Sequence, residues 1–266
     1  MLNYPDTQTK TSIYISDALI SKNTGYKKFR KARTTMQQRS IETKRKILTA
    51  CVRLFLEQGY KNTTVSQIVD TAGVARGSFQ NLFPAKEDIL LELIETMFES
   101  QFAMASKITQ QELSPVCVYA AETAIQLMLT ELNENLRDIY IEAYTLPNTS
   151  ECIYKKTTKE LVNLFGSYLP NYTECDFYKM EVGTAGLMRN YMTKKCDDNF
   201  TFTEKLNCFL TSSLRIYAVP EKEIAEAIAF IEELDIKVAA TQVMNKLFSM
   251  LEMKYNFKLQ ESYLEK

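Results

Sequence analysis

Residues 44–90 have the sequence KRKILTACVRLFLEQGYKNTTVSQIVDTAGVARGSFQNLFPAKEDIL, and this stretch decides the fold of the N-terminal part of the chain. Apolar residues recur at three- and four-residue steps from Ile47 to Phe55. That spacing predicts an amphipathic helix that begins near Ser40. Gly59 occupies the position that glycine favours after a helix, so we expect the helix to end there.

Two short helices are predicted next, joined by a turn that contains glycine. Thr64 is a favourable N-cap for a helix over 65–72, and Gly73 breaks the chain before a third helix over about 75–82. A pair of short helices joined in this way is typical of a helix-turn-helix, whose second helix enters the major groove of DNA. Arg76 is of the type that favours guanine, and Gln80 and Asn81 are of the types that favour adenine.

The charge distribution agrees with a nucleic-acid partner. The net charge is only −1, but the segment 22–86 holds fourteen Lys and Arg against three acids, so the rest of the chain is acidic. A basic surface of this kind favours a polyanion such as DNA. A merely solvated basic surface remains an alternative on charge alone. We expect residues 1–38 to form a basic, weakly structured arm.

These residues resemble the DNA-binding domain of the TetR family of bacterial transcriptional regulators. The matching elements keep their order over about 45 residues, which is far more specific than a bare helix-turn-helix. They are Ile47-Leu48, Ala50, Leu54-Phe55, Gly59-Tyr60, Thr63-Thr64-Val65, Ile68, Ala72-Gly73-Val74, Gly77-Ser78, Phe83 and Lys86-Glu87 before Leu90.

The resemblance implies a homodimer that binds a near-palindromic, double-stranded DNA operator. Carried over position by position, it places Thr64, Ser66, Arg76, Ser78 and Lys86 at the DNA. The outward side of the third predicted helix adds Ala75, Gly77, Gln80 and Asn81 as DNA-binding candidates. The basic arm adds Arg39, although that arm could equally be a solvated tail. Two residues depart from the family pattern. Gln80 replaces a common tyrosine, which puts a backbone contact in doubt, and Ala85 replaces a polar residue, which weakens the cap of the fourth helix. Lys86 could also stabilise only its own helix and make no contact with DNA.

The remaining sequence, 87–266, predicts helices throughout, so the expected fold class is all-α. The expected domains are a helix-turn-helix domain over 39–86 and a larger helical domain over 87–266 for ligand binding and dimerisation. Helices are expected at about 115–132, 134–146, 149–168, 174–195 and 203–218, with one long helix from Pro220 to about Tyr255. The layout of 174–218 is similar to the helix pair that forms the family's dimer interface. Small residues there, Gly183, Ala185 and Gly186, would allow helices to approach closely.

In this family the helical body usually holds a ligand pocket, so the resemblance implies an unknown small-molecule effector. The candidate lining residues are aromatic or methionine: Phe98, Phe102, Tyr119, Met128, Tyr140, Tyr144, Phe165, Tyr168, Phe177, Met180 and Met188. Most such residues at helical spacing belong to an ordinary core, so each is a weak candidate alone. A mainly apolar or aromatic, even cationic, ligand fits this composition.

Other classes of function find little support. The chain has no histidine, and its six cysteines form no C-x-x-C pair, so we expect no catalytic residues, no cofactor and no metal site. Free thiols, no signal peptide and no long apolar run predict a cytoplasmic protein without a membrane partner. Two alternatives stay open: an architectural DNA-binding protein of the same fold without an effector, and a helix-turn-helix that has lost DNA binding.

Overall fold

The computed structural model describes residues 37–95 and 113–255, and these residues form two compact units. The first unit is Met1–Arg45, of which residues 37–45 are described and are helical. Within it, the guanidinium of Arg45 pairs with the Glu42 carboxylate one helical turn away, at 2.5 Å. The predicted arm is otherwise outside the described residues.

The second unit, Lys46–Lys266, begins with four helices that contain the helix-turn-helix. They are α1 over 46–62, α2 over Val65–Ala72, α3 over Arg76–Leu82 and α4 over 86–95. The prediction that the first helix ends at Gly59 is wrong, because helical structure continues to residue 62. Gly59 nevertheless has φ of 81°, a conformation that L side chains rarely adopt.

Local capping explains why α2 lies where the sequence predicts it. The Thr64 hydroxyl accepts a bond from the Gln67 amide, and the Gln67 side chain accepts one from the Thr64 amide, which completes a capping box. Gly73 has φ of 61° and its amide bonds back to the carbonyls of Val69 and Asp70, which ends the helix. Ile68 and Phe79 are both buried, so α2 and α3 turn their apolar sides inward.

Seven further helices follow in the described part of the chain. They are α5 Pro115–Leu132, α6 Glu134–Ala143, α7 Pro147–Phe165, α8 Glu174–Thr193, α9 Phe202–Ile216, α10 Glu221–Glu232 and α11 Ile236–Tyr255. The central helix is α5, which packs against each of the other six. Most of its residues are buried, which accounts for its nearly continuous apolar sequence. Other than an isolated bridge between Asp197 and Phe200, no strand occurs among the described residues, and the all-α fold class is confirmed.

The single long helix expected from Pro220 to Tyr255 is wrong. The chain breaks between α10 and α11, where the Asp235 carboxylate accepts a bond from the Val238 amide at 3.0 Å and so starts a new helix. Val238, expected on the apolar face with Ile224 and Ile231, lies in the second of the two helices and is 49% exposed. The other predicted ends differ by a few residues, most at α6 and α7, where Pro147 begins α7.

The expected domain boundaries at 38 and 86 stay predictions. The two compact units meet between Arg45 and Lys46, and the four N-terminal helices α1–α4 belong to the same unit as α5–α11. The core therefore continues from the helix-turn-helix into the body.

Candidate functional site

The outer surface of α3 collects the polar residues that the sequence assigns to DNA. Phe79 is 1% exposed and fixes α3 to the core, whereas its neighbours face solvent. The exposed residues are Ala75, Arg76, Gly77, Ser78, Gln80 and Asn81. Because α3 has only seven residues, one buried side chain fixes it while the rest of its surface stays open. The structure thus leaves all six candidates exposed.

Thr64 and Ser66 are exposed at the start of α2, the second predicted contact area. Thr64 is the N-cap residue of α2, as predicted. Its hydroxyl also lies 2.9 Å from the Gln67 Oε1 atom, to which it donates. Amide groups and hydroxyls at a helix start suit a phosphate.

Lys86 has a role that the sequence alone did not single out. Its ammonium donates to the carbonyls of Tyr60 at 2.7 Å and Thr63 at 2.8 Å, and it lies 4.0 Å from the centre of the Tyr60 ring. Burial lowers the pKa of Lys86. Lys86 thereby joins the start of α4 to the end of α1, across 23 to 26 residues of sequence. Its predicted phosphate contact would have to share the same ammonium.

The start of α4 also has a cap that the sequence interpretation missed. Ala85 has no side chain to cap the helix, but its amide donates to the Asp88 carboxylate at 2.7 Å. An acid three residues into a helix can accept from the N-cap amide, as in half of a capping box. The signal was present in the sequence as Asp88.

Arg39 is exposed in the helical part of the first unit. Its carbonyl accepts a bond from the Thr43 hydroxyl at 2.8 Å, an ordinary contact within a helix. The basic residues before it lie outside the described residues.

Helix α6 is bonded directly to the end of α1. The Asn135 amide donates to the Leu56 carbonyl at 2.7 Å, and the Asp138 carboxylate accepts from the Lys61 backbone amide at 2.9 Å. A Cβ atom on Gly59 would lie 3.0 Å from the Asp138 carboxylate, so a glycine allows this close approach. The body therefore contacts the DNA-binding part through specific polar bonds.

A small cavity lies in the body between α5, α7, α8 and α9. Its volume is about 30 Å³, enough for about one water molecule and far below the roughly 300 Å³ of a ligand pocket. Three predicted ligand residues line it, namely Tyr119, Tyr144 and Met188. The lining residues that the sequence interpretation missed are Glu122, Thr123, Gln126, Thr157, Leu161, Glu181, Thr184, Ala185 and Phe209.

Two carboxyl groups in this cavity are buried. Glu122 is 3% exposed and Glu181 is 4% exposed. Burial raises the pKa of Glu181 to about 8, against the lowering effect of bonds from Thr184 and Tyr217. Burial also raises the pKa of Glu122 well above its ordinary value. Neutral, protonated carboxyls are therefore favoured there at neutral pH. A sequence signal existed, because Glu122 is the only charged residue in 115–130.

The other candidate ligand residues lie elsewhere. Phe165 is fully buried and stacks on Tyr217, with ring centres 4.7 Å apart, beside the cavity. Tyr140 lines a second, apolar cavity between α1, α4, α6 and α11, and Met128 lines an open groove of about 350 Å³ beside the α10–α11 break. The Tyr168 hydroxyl donates to Glu223 at 2.5 Å.

Two more candidates belong to the packing of α8. Phe177 is fully buried and Met180 is partly buried. Phe98 and Phe102 lie outside the described residues.

The expected dimer surface on α8 and α9 is partly free. Val182 and Ile216 are among the large apolar side chains that face solvent, at 43% and 38% exposure. A Cβ atom on Gly183 or Gly186 would meet nothing within 4 Å. Ala185, expected at the same interface, is instead buried inside the protomer, where it lines the cavity.

Residues 37–95 and 113–255 contain no group of three His, Cys, Asp or Glu side chains that could hold a metal ion. Within the same ranges, each helix is too short or too polar to cross a lipid bilayer.

Comparisons with known proteins agree with the geometry of the helix-turn-helix. Residues 47–93 match the family model described as bacterial regulatory proteins, tetR family. The chain is similar to the uncharacterized HTH-type transcriptional regulator YuxN of Bacillus subtilis (strain 168), with 26% identity over 148 residues that cover 50% of this chain and 49% of YuxN. It is also similar to the HTH-type transcriptional regulator CymR of Pseudomonas putida, with 30% identity over 106 residues, 40% of this chain and 49% of CymR.

The chain thus spans about half the length of the curated relatives it matches. Among solved structures, it is similar to RolR in complex with resorcinol, with a TM-score of 0.57, 20% identity and coverage of 72% of this chain and 95% of that chain. That likeness concerns the fold alone. The family matched over residues 47–93 consists of regulators rather than enzymes, which agrees with the resemblance seen in the sequence.

Proposed function

We propose that this chain, whose residues 47–93 match the TetR family of bacterial regulatory proteins, is a homodimeric repressor that a small ligand releases from its DNA operator. The observation that carries this proposal is the surface of α3. Its polar residues are exposed together, while the neighbouring Phe79 anchors the helix in the core.

Sequence preference would come from α3 in the major groove. Arg76 has the two-pronged donor that suits guanine, and Gln80 and Asn81 can both donate to and accept from adenine. Thr64 and Ser66 at the start of α2 would contact phosphates, which orient the protein without selecting a sequence. Two such heads in a dimer would bind the two halves of a near-palindromic operator.

Helix α6 would connect a ligand in the body cavity to α1. Tyr144, which follows α6, lines the cavity, and Asn135 and Asp138 on α6 bond the end of α1. The cavity is far smaller than a ligand, so binding must separate the helices around it. RolR, whose fold is similar, has been solved with resorcinol bound. A ligand that binds the expanded state better would shift the protein away from the state that fits the operator.

The test of DNA readout uses Arg76→Ala in the full chain, with Lys159→Ala as a matched control. Lys159 is exposed on α7, so its variant removes the same charge away from α3. We expect Arg76→Ala to lose about 1–3 kcal/mol of discrimination between the preferred site and an altered one. Binding titrations with both DNA fragments, at one fixed salt concentration, measure this. Equal discrimination in both variants would contradict the docking of α3.

Dimerisation through about 174–218 is supported by the exposed Val182 and Ile216 and by the open space at Gly186. Gly186→Arg would place a long cation where a partner helix must approach, so monomers are expected by light scattering. Asn163→Arg, at an exposed position on α7, serves as the control and should stay dimeric. If Gly186→Arg were as dimeric as the control, the interface would have to lie elsewhere.

A further inference from the structure

The cavity in the body contains two buried acids and no base. Glu122 projects from α5 and Glu181 from α8, and both line the same space of about 30 Å³. No Lys or Arg lines the described cavity, and no cation is among the groups that shift the pKa of either acid. Burying a carboxyl without a cation is costly and needs a reason.

The hydrogen bonds of these carboxyls are incomplete. Among the described residues, Glu122 has one partner, the Gln126 amide at 3.3 Å, and its second oxygen accepts no bond. Glu181 uses one oxygen, Oε2, which accepts from Thr184 at 2.8 Å and from Tyr217 at 3.5 Å. One oxygen of each buried acid is therefore available to a donor that enters the cavity.

Aromatic and apolar side chains form the rest of the cavity wall. Tyr119 and Phe209 contribute rings, and Leu161 and Met188 contribute aliphatic surface. Ring faces attract cations, and apolar walls favour an apolar ligand body. A neutral ligand would form no ion pair with the two carboxyls, and an anionic ligand would meet no base in the cavity lining.

We propose that the effector of this protein is an organic cation, an ammonium group on an aromatic or apolar body, held between Glu122 and Glu181. This inference rests on the proposed ligand-responsive function, whose cavity it fills. The ammonium would donate to the free carboxylate oxygens, and the carbon skeleton would lie against Tyr119 and Phe209. Opening the cavity to that size separates α5, α7 and α8.

Binding a cation there must release protons. The carboxyls are protonated in the free protein near neutral pH, since burial raises both pKa values. The ammonium favours the ionised form, so a carboxyl gives its proton to the buffer as the ion pair forms. The other titratable groups that interact with the pair are Glu160 on α7, Tyr119 on α5, Tyr140 on α6, and Tyr144 and Tyr217 beyond the ends of α6 and α9. The affinity for a cation should therefore rise between pH 6 and pH 8.

The test compares three probes of nearly one shape on the full chain: 2-phenylethylammonium, 2-phenylethanol and phenylacetate. Calorimetry in two buffers of different ionisation enthalpy measures affinity and proton release together. We expect the ammonium to bind at least tenfold more tightly than the alcohol, with proton release, and phenylacetate not to bind. Equal binding of the alcohol, or no binding of the ammonium at millimolar concentration, overturns the proposal.

Variants then locate the site. Glu122→Gln and Glu181→Gln keep the shape of the side chain and should each weaken ammonium binding at least tenfold. Glu226→Gln on the exposed side of α10 is the matched control and should bind like the unmodified protein. If both cavity variants retained their affinity for the ammonium probe, the assignment of the site to Glu122 and Glu181 would be wrong. The probe comparison needs no variant, so it decides the question even if a variant fails to fold.

A separate readout distinguishes this inference from the proposed function. Operator binding is measured in the presence and absence of each probe. Ammonium binding that depends on Glu122 but leaves operator affinity unchanged supports the ligand class and contradicts the repressor mechanism. Release of DNA by the neutral probe alone supports the mechanism and overturns the ligand class.

Discussion

Two acids on α5 lie in opposite environments. At its C-terminal end, Glu131 bonds the fully buried Lys205 at 2.6 Å and Arg137 at 3.0 Å. Burial alone would raise the pKa of Glu131, but these cations lower it below its ordinary value. Near the middle of the helix, Glu122 faces Glu181 without a cation, and both pKa values are raised. Glu131 is paired with Lys205 and Arg137, whereas no Lys or Arg lines the described cavity that contains Glu122 and Glu181. A cationic partner for these two acids would therefore have to come from outside the chain.

Breaking the ion pair between Glu131 and Lys205 should have the largest effect on stability. Lys205→Met would leave the Glu131 carboxylate with Arg137 and the Cys196 amide and remove the donor to the Lys194 carbonyl. We expect the free energy of unfolding to fall by about 3 kcal/mol, the low end of the cost of breaking a buried ion pair, because Glu131 is only partly buried and keeps one cation. Urea unfolding measures it. Lys195→Met, in an exposed pair with Glu134, is the control and should not move the midpoint.

A loss in Lys205→Met as small as in its control would contradict this account. It would mean that the Glu131 network is open to water and contributes no more than a surface pair.

Removing an acid from the cavity should change how stability depends on pH. Folded Glu181, with a pKa of about 8, holds a proton that the unfolded chain releases above its ordinary value of 4.5. The folded state therefore binds more protons between those values, so stability falls as pH rises, by about 1.4 kcal/mol for each pH unit. Glu181→Gln cannot ionise and should lose this part of the slope, while Glu122 keeps its own contribution.

Urea unfolding at pH 5, 6, 7 and 8 measures the slope for the unmodified protein and for Glu181→Gln. Parallel curves would show that Glu181 is ionised in the folded protein, and the contrast with Glu131 would then disappear.

The smallest expected effect comes from the hydroxyl of Tyr217. It lies 2.7 Å from the Thr184 hydroxyl and 3.5 Å from Glu181. Tyr217→Phe should cost about 1 kcal/mol of stability, the usual value of one net hydrogen bond. It should also raise the pKa of Glu181 further, because a bond to the ionised form is lost. Unfolding of Tyr217→Phe against the exposed Tyr172→Phe measures the first effect.

The helix-turn-helix could be predicted from the sequence because its signals are local. Thr64 and Gly73 act within four residues of themselves, as a cap and a turn. The role of Lys86 could not be predicted in this way, since its partners are 23 and 26 residues distant. Likewise, the break before α11 depends on Asp235, an acid that helical periodicity does not distinguish from a surface residue.

The cavity was only partly predictable. Aromatic residues at helical spacing indicated Tyr119 and Tyr144, but the same pattern also indicated Phe165 and Phe177, which are ordinary core. Glu122 and Glu181 are 59 positions apart, and their meeting depends on how α5 packs against α8. Burial of polar residues decides the chemistry of the site, and it depends on the tertiary packing rather than on any local pattern.

The most direct test of the central claim is a pull-down of genomic DNA fragments with the purified full chain, followed by a salt titration on the most enriched fragment. A sequence-specific repressor should enrich a near-palindromic site, and it should keep binding that site preferentially as the salt concentration increases. Broad binding that falls steeply with salt and enriches no site would mean phosphate contacts without base readout. That result would contradict a sequence-specific repressor and favour an architectural DNA-binding protein of the same fold.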